Sequence, residues 1–195
     1  ASDGIFNAST TLWVTQFIAV SGEVLAAPAM TLSTASDTVG STLTVSGTGF
    51  NASTTGTVTF GSGSAFARSY SATSDNAGAF STSFSVPTVP GGTYTILATL
   101  GTSASASFTV MPTVILSTTS AHVGDLINIS GTGFSASLTA GIAYYGMTIT
   151  KVTTNSNGSF DATFTVPQSV YGAHSVTASD GIFNASTTLW VTQFI

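Results

Sequence analysis

Charge is what this chain has least of. Its 195 residues include two cations, Arg68 and Lys151, and seven acidic groups, so charged residues make up only 5%. Two cations cannot neutralise a run of phosphates, which excludes nucleic acid as a partner on electrostatic grounds. Cysteine is absent, which removes disulfide and thiolate chemistry and leaves the redox compartment open. No apolar run reaches the ~20 residues of a membrane-spanning helix. No segment keeps a helical period over three turns. Disorder demands few apolar residues and much charge, whereas 43% of this chain is hydrophobic. The chain therefore folds, and it folds as strands.

What is present is repetition. ASDGIFNASTTLWVTQFI occurs at residues 1–18 and again, unchanged, at 178–195, an offset of 177. Inside that period lies a weaker repeat. SGTGFNAS at Ser46–Ser53 recurs as SGTGFSAS at Ser130–Ser137, and Val39-Gly40 recurs as Val123-Gly124, both at an offset of 84. GAFSTSFSVP at Gly78–Pro87 matches GSFDATFTVP at Gly158–Pro167, and GGTYTILAT at Gly91–Thr99 matches YGAHSVTAS at Tyr171–Ser179, both at an offset of 80. The first half therefore carries about four extra residues near GSGSAFARS.

Each half reads as short strands between Gly, Asn, Asp and Pro. In the first they are expected near 30–35, 42–48, 55–60, 66–73, 79–86, 93–100 and 104–110. In the second they are expected near 114–118, 125–131, 139–145, 148–155, 159–166, 173–179 and 185–192. Leu43 and Val45 alternate with Thr42, Thr44 and Ser46; Ile127 and Ile129 alternate with Asn128 and Ser130. Phe80, Phe84 and Val86 share one parity, as do Phe160, Phe164 and Val166. Half-buried strands of this kind predict an all-β fold of two tandem immunoglobulin-like β-sandwiches, about seven strands each, plus an N-terminal strand fragment of a further copy. The expected organisation is 1–18 a terminal strand segment, 19–29 a linker, 30–111 the first domain and 112–195 the second.

The combined pattern, VG followed by L.VSGTGF.AS, NG.F, F.VP and G.Y.V.A, resembles the bacterial and archaeal immunoglobulin-like repeats of IPT/TIG type. The resemblance covers nearly the whole chain. It implies tandem modules on an extracellular or cell-surface protein, as found in adhesins, S-layer-associated proteins and fibres. The second module departs from the pattern at His174, where the first has Tyr94.

On this alignment the repeated stretch is a turn and a seventh strand, seen once inside its domain and once apart from it. The preferred reading is a window on a longer array of 177-residue period, so that a further copy is expected before Ala1. The competing reading is a donor strand that completes a neighbouring subunit, but no slot for it is evident. Pro112 stiffens the passage between modules. The other linker, AVSGEVLAAPA at Ala19–Ala29, carries Val20, Val24 and Leu25 and is expected to pack against a module face or a sheet edge.

No catalytic constellation emerges, and the chain is expected not to be an enzyme or to need a cofactor or metal. His122 and His174 occupy non-matching positions, and the acids Asp3, Glu23, Asp37, Asp75, Asp125, Asp161 and Asp180 are scattered. GTGFNA at Gly47–Ala52 mimics a dinucleotide fingerprint but is followed by Ser and Thr where a phosphate-binding helix is required. Gly47, Gly49 and Phe50, with their counterparts Gly131, Gly133 and Phe134, read instead as a strand leaving its sheet and a ring closing the core. DNAG at Asp75–Gly78 and NSNG at Asn155–Gly158 read as tight hairpin turns. A calcium at Asp75 and an isopeptide at Lys151 are weak alternatives to these structural readings. Sequons at Asn7, Asn51, Asn128, Asn157 and Asn184 mark candidate N-glycans, which would solubilise a surface with little charge.

The function expected is a structural subunit of an extracellular fibre or filament whose partner is itself. The alternative is an adhesin stalk or a carbohydrate-binding surface protein. Exposed faces on Tyr144, Tyr145, Trp13 or Trp190 would favour the sugar reading, and buried ones the scaffold.

Overall fold

The computed structural model describes residues 27–193. The terminal strand segment, most of the linker, Asn7 and Trp13 lie outside the described residues. The rest is strand and turn. The first sandwich contains β1 (Ala29–Leu32), β2 (Ser36–Thr38), β3 (Thr42–Thr48), β4 (Thr55–Phe60), β5 (Arg68–Thr73), β6 (Phe80–Ser85), β7 (Gly92–Leu100) and β8 (Thr102–Met111). The second contains β9 (Thr113–Leu116), β10 (Ser120–Ala121), β11 (Leu126–Thr132), β12 (Thr139–Tyr144), β13 (Met147–Thr153), β14 (Phe160–Thr165), β15 (Gly172–Ser179) and β16 (Asn184–Val191).

In each sandwich a three-stranded sheet faces a five-stranded one. The orders are β1-β3-β6 against β2-β8-β7-β4-β5, and β9-β11-β14 against β10-β16-β15-β12-β13. The strand expected at 30–35 is in fact two. β1 pairs antiparallel with β3, and the chain then crosses to the other sheet, where β2 pairs parallel with β8. β9 and β10 repeat the crossing, with β10 parallel to β16. One segment thereby covers an edge of each sheet and leaves two short strands, β1 and β2, as the new edges, which offer less to an incoming strand.

Alternation decides which face is buried. Leu43, Val45, Phe80, Phe84, Ile96 and Phe108 point into the first core, and Ile127, Ile129, Phe160, Phe164, Val176 and Leu189 into the second. Each fully buried aliphatic or aromatic side chain stabilises its sandwich by about 1.5–3 kcal/mol. The outward neighbours are Ser and Thr that pair across strands, such as Thr44 Oγ1 with Ser83 Oγ at 2.8 Å and Thr59 Oγ1 with Ser69 Oγ at 2.9 Å. The outer faces are thus held by hydroxyls rather than ion pairs.

Phe50 and Phe134 close one end of their cores at 2% and 0% exposure. Each packs against the ring across the strand pair: Phe50 lies edge-on to Phe80 at 5.1 Å, and Phe134 is tilted on Phe160 at 5.3 Å. Gly47 and Gly131 make room for this. A Cβ at either would stand 2.4 Å from the Phe80 ring or 2.2 Å from the Phe160 ring.

The turns at Asp75–Gly78 and Asn155–Gly158 are not hairpins. Each carries the chain from the five-stranded sheet to the three-stranded one, β5 to β6 and β13 to β14. Asp75 Oδ1 accepts from the N–H groups of Ala77 and Ala79, both at 2.9 Å. Asn155 Oδ1 does the same for Asn157 and Ser159. A carboxylate and an amide serve equally, so the position uses an oxygen to cap a turn and does not depend on charge. Beside each turn a buried hydroxyl ties down the preceding loop. Ser74 Oγ donates to Asn51 O and accepts from Thr54 N–H; Thr154 Oγ1 donates to Ser135 O and accepts from Leu138 N–H.

Ile142→Ala, at a fully buried position, is expected to destabilise the second sandwich by about 2–5 kcal/mol. Urea denaturation followed by NMR will show the second set of resonances lost first while the first set holds.

Candidate functional site: the joint between the sandwiches

One residue, Pro112, separates β8 from β9. A connection this short brings backbone against backbone, and three positions make that approach feasible. Gly91 N–H, from the loop between β6 and β7, donates to Phe134 O at 3.0 Å. A Cβ on Gly91 would lie 2.2 Å from Gly133 O and 3.0 Å from the Phe183 ring. Gly133, at φ +72°, would place a Cβ 2.5 Å from Met111 O and 3.1 Å from Pro112 Cα. Gly158, at φ +70°, would place one 2.0 Å from Phe134 O and 2.9 Å from Pro90 Cα. The joint is therefore a contact of main chains, with the Phe183 ring beside it, in which none of these three glycines can carry a side chain.

Both sides are braced. On the first sandwich Tyr94 OH donates to Pro90 O at 2.8 Å, which fixes the loop that carries Gly91. Burial pushes the Tyr94 phenol up from its ordinary value, so it stays a donor. On the second, Asp180 holds three N–H groups. Its Oδ1 accepts from Phe183 at 2.7 Å and Ile182 at 2.9 Å, and its Oδ2 from Ser135 at 2.7 Å. Burial works to raise the Asp180 carboxyl, but the bonds from Phe183, Ser135 and Ile182 outweigh it and leave the group below its ordinary value. The carboxylate sets the turn that presents Phe183 to Gly91.

Asp180 and Phe183 belong to the repeated eighteen residues. The first sandwich turns from β7 to β8 through Gly101 alone, whereas β15 and β16 are joined by Asp180–Phe183. Of the residues singled out from the sequence, Gly133, Phe134 and Pro112 meet at the joint. Gly47, Gly131, Gly49 and Phe50 stay within their own sandwiches. Gly91, Asp180 and Phe183 are not marked as joint residues by any local pattern, although the two differences at these positions, GG for YG and the longer DGIF for G, stand in the alignment.

The other positions lie apart. Asn51, Asn128 and Asn184 are exposed and Asn157 is half-buried. Asn128 sits on the outer face of β11 opposite Thr163. Lys151 is exposed on the edge strand β13. His122 Nδ1 lies 3.4 Å from Asp125 Oδ2 in a surface turn. His174 is 5% exposed and takes over the role of Tyr94, its Nε2 lying 2.7 Å from Val170 O. That nitrogen must carry the proton, and the buried Nδ1 finds no hydrogen-bond partner among the described residues. Tyr144 stacks on His174 at 5.1 Å, as Phe60 stacks on Tyr94 at 5.1 Å. The aromatic criterion divides: Tyr144 is buried at 4% exposure, while Tyr145 is 74% and Trp190 56% exposed. Among the described residues no three metal-ligating side chains come together.

Two outcomes test the joint. Gly91→Ala is expected to break the bond to Phe134, worth about 0.5–1.5 kcal/mol, and to release the fixed orientation of the sandwiches. Residual dipolar couplings will then report two alignment tensors in place of one, with the melting of each sandwich unchanged. Asp180→Ala is expected to cost the second sandwich about 1–3 kcal/mol. Because folding lowers this carboxyl, its contribution is present above the unfolded value of about 3.9 and is lost as pH falls through the lowered folded value. Acid titration of stability will flatten in that window for the variant.

No family model matches the chain, and no curated protein does. Solved structures of similar fold include the adhesin InvE of Yersinia pseudotuberculosis, at 13% identity and a TM-score of 0.38, over 85% of this chain and 59% of that one. They include a tetra-tandem repeat in the extending region of a large adhesion protein, at 20% identity and 0.41, over 84% and 49%. They also include the D0–D1 domain of intimin, at 15% identity and 0.31, over 84% and 98%. The chain thus spans 59% and 49% of the first two. All three TM-scores lie below 0.5, and these likenesses assign neither a family nor an activity to this chain.

Proposed function

We propose that the chain is a non-catalytic structural segment of an extracellular filament, built from tandem sandwiches of IPT/TIG type with a 177-residue period. Its partner is itself, and glycans at exposed sequons such as Asn51, Asn128 and Asn184 solubilise it.

The observation that carries this reading is the path of mechanical load. A pull along the chain enters the first sandwich at β1–β2 and leaves at β8. β2 and β8 run parallel, with Ser36, Asp37 and Thr38 opposite Thr109, Val110 and Met111. Pulling them apart slides one along the other, so their hydrogen bonds are loaded together in shear and do not open one by one. β10 and β16 repeat the arrangement, supported by Trp190 N–H to Thr119 O and Thr192 N–H to Ala121 O, both 2.9 Å. The covalent link through Pro112, with no slack, then passes the load from one clamp to the next. Outer faces of Ser and Thr with little charge let neighbouring filaments approach without strong repulsion.

The second reading, an adhesin stalk or carbohydrate-binding protein, is favoured by the exposed ring of Tyr145 beside a cavity at the far end of the second sandwich.

Electron microscopy of the native material is expected to show long filaments; short monodisperse particles would sink the proposal. In single-molecule pulling, each sandwich of roughly 80 residues is expected to yield about 25–30 nm of contour in one step. Gradual lengthening at low force would count against a shear clamp.

A further inference from the structure

The end of the second sandwich away from the joint holds a cavity of about 560 Å³. Its walls include Tyr144, Tyr145, Met147, Val170, Tyr171 and His174, and no Asp, Glu, Lys or Arg lines it. The mouth is apolar and open: Tyr145 and Met147 are each 74% exposed, Val170 77% and Tyr171 60%.

The corresponding end of the first sandwich is where the second one docks. There Pro90 is buried and Gly91 half-buried; their counterparts are Val170 and Tyr171. The same joint cannot form twice, because any Cβ at the Gly91 position meets Gly133 O at 2.2 Å. The cover of the second end must therefore differ. The two ends also differ within themselves. In the first sandwich the loop from β4 to β5 lays Phe66 edge-on to Tyr94, 6.4 Å away at 85°. In the second that loop is only Tyr145-Gly146, and less ring surface roofs the site.

The sequence holds a matching occupant. β16 ends at Val191, paired with Gly172 beside Tyr171, so the chain departs at the end of the sandwich that holds this cavity. After the other copy of the same strand the sequence continues through Phe17, Ile18, Val20, Val24 and Leu25, with Glu23 as its one charge, before β1 begins at Ala29. By contrast, the top of the first sandwich offers small or polar residues at its turns, Asn51, Ala52, Asp75, Asn76 and Gly101, all exposed. An uncharged apolar cavity matches the apolar segment far better than that polar end.

We propose that this cavity binds the segment Phe17–Leu25 of a second copy of the chain. The inference rests on the tandem reading, in which each second sandwich is followed by this sequence. The bound segment is the cover that the Gly91 joint cannot supply.

The test adds a synthetic peptide with the sequence Thr15–Pro28 to the 195-residue chain and follows methyl and aromatic NMR signals. Saturable shifts at Met147, Val170 and Tyr145 are expected. They should weaken at least tenfold with Val170→Asp in the protein and, separately, with Phe17→Asp in the peptide. Val170 is exposed, so its variant keeps the fold, and an unchanged spectrum elsewhere verifies this. Shifts confined to the edge strand β5 or to residues 151–153 of β13, or no shifts, overturn the proposal. So does cellobiose or maltose moving the same signals where the peptide does not, which would hand the cavity to a sugar. Filaments without peptide binding overturn the occupant and leave the tandem reading intact. Peptide binding without filaments keeps the occupant and removes the filament.

Discussion

The arrangement of the two sandwiches depends on how closely two main chains approach at one place. Gly91 meets Phe134 through a hydrogen bond that any side chain would obstruct. Everything around it serves that contact. Tyr94 holds Pro90, Asp180 holds the turn of Phe183, and Pro112 leaves no slack in the connection. A joint made of apolar side chains would tolerate sliding by a fraction of an ångström. A hydrogen bond between glycine-flanked backbones weakens steeply once its angle departs far from linear.

Much of the fold was legible because its physics is local. A strand with one buried face must alternate, and Leu43-Thr44-Val45 and Ile127-Asn128-Ile129 do so in the letters. The crossing between β1 and β2 was not legible. Ser33 to Ala35 contains no glycine or proline, and what divides the strand is the presence of two sheet edges to cover, a property of the assembled sandwich. The turns at Asp75 and Asn155 show the same limit. Their residues announce a turn, but which sheets the turn connects is decided by strands far along the chain. The joint was the least legible part. The requirement for glycine at position 91 is set by a carbonyl at position 133, on another sandwich, and no local pattern encodes it.

His174 shows how a departure from pattern is absorbed. In place of a phenol with one hydroxyl stands a ring with two nitrogens. One nitrogen reproduces the hydroxyl's bond to the carbonyl four residues earlier, and Tyr144 supplies the stacking that Phe60 supplies elsewhere. The substitution keeps the corner closed at the cost of a buried ring nitrogen without a partner among the described residues. Two sandwiches with the same plan thus present different ends, one closed by its neighbour and one lined by exposed rings.

That difference sets how a longer molecule of this kind would bend. Bending concentrates where slack is available, and Pro112 provides almost none. Thermal fluctuations of the contour would therefore be small across this junction. The unit of stiffness would be the pair of sandwiches, moving as one body twice the length of either.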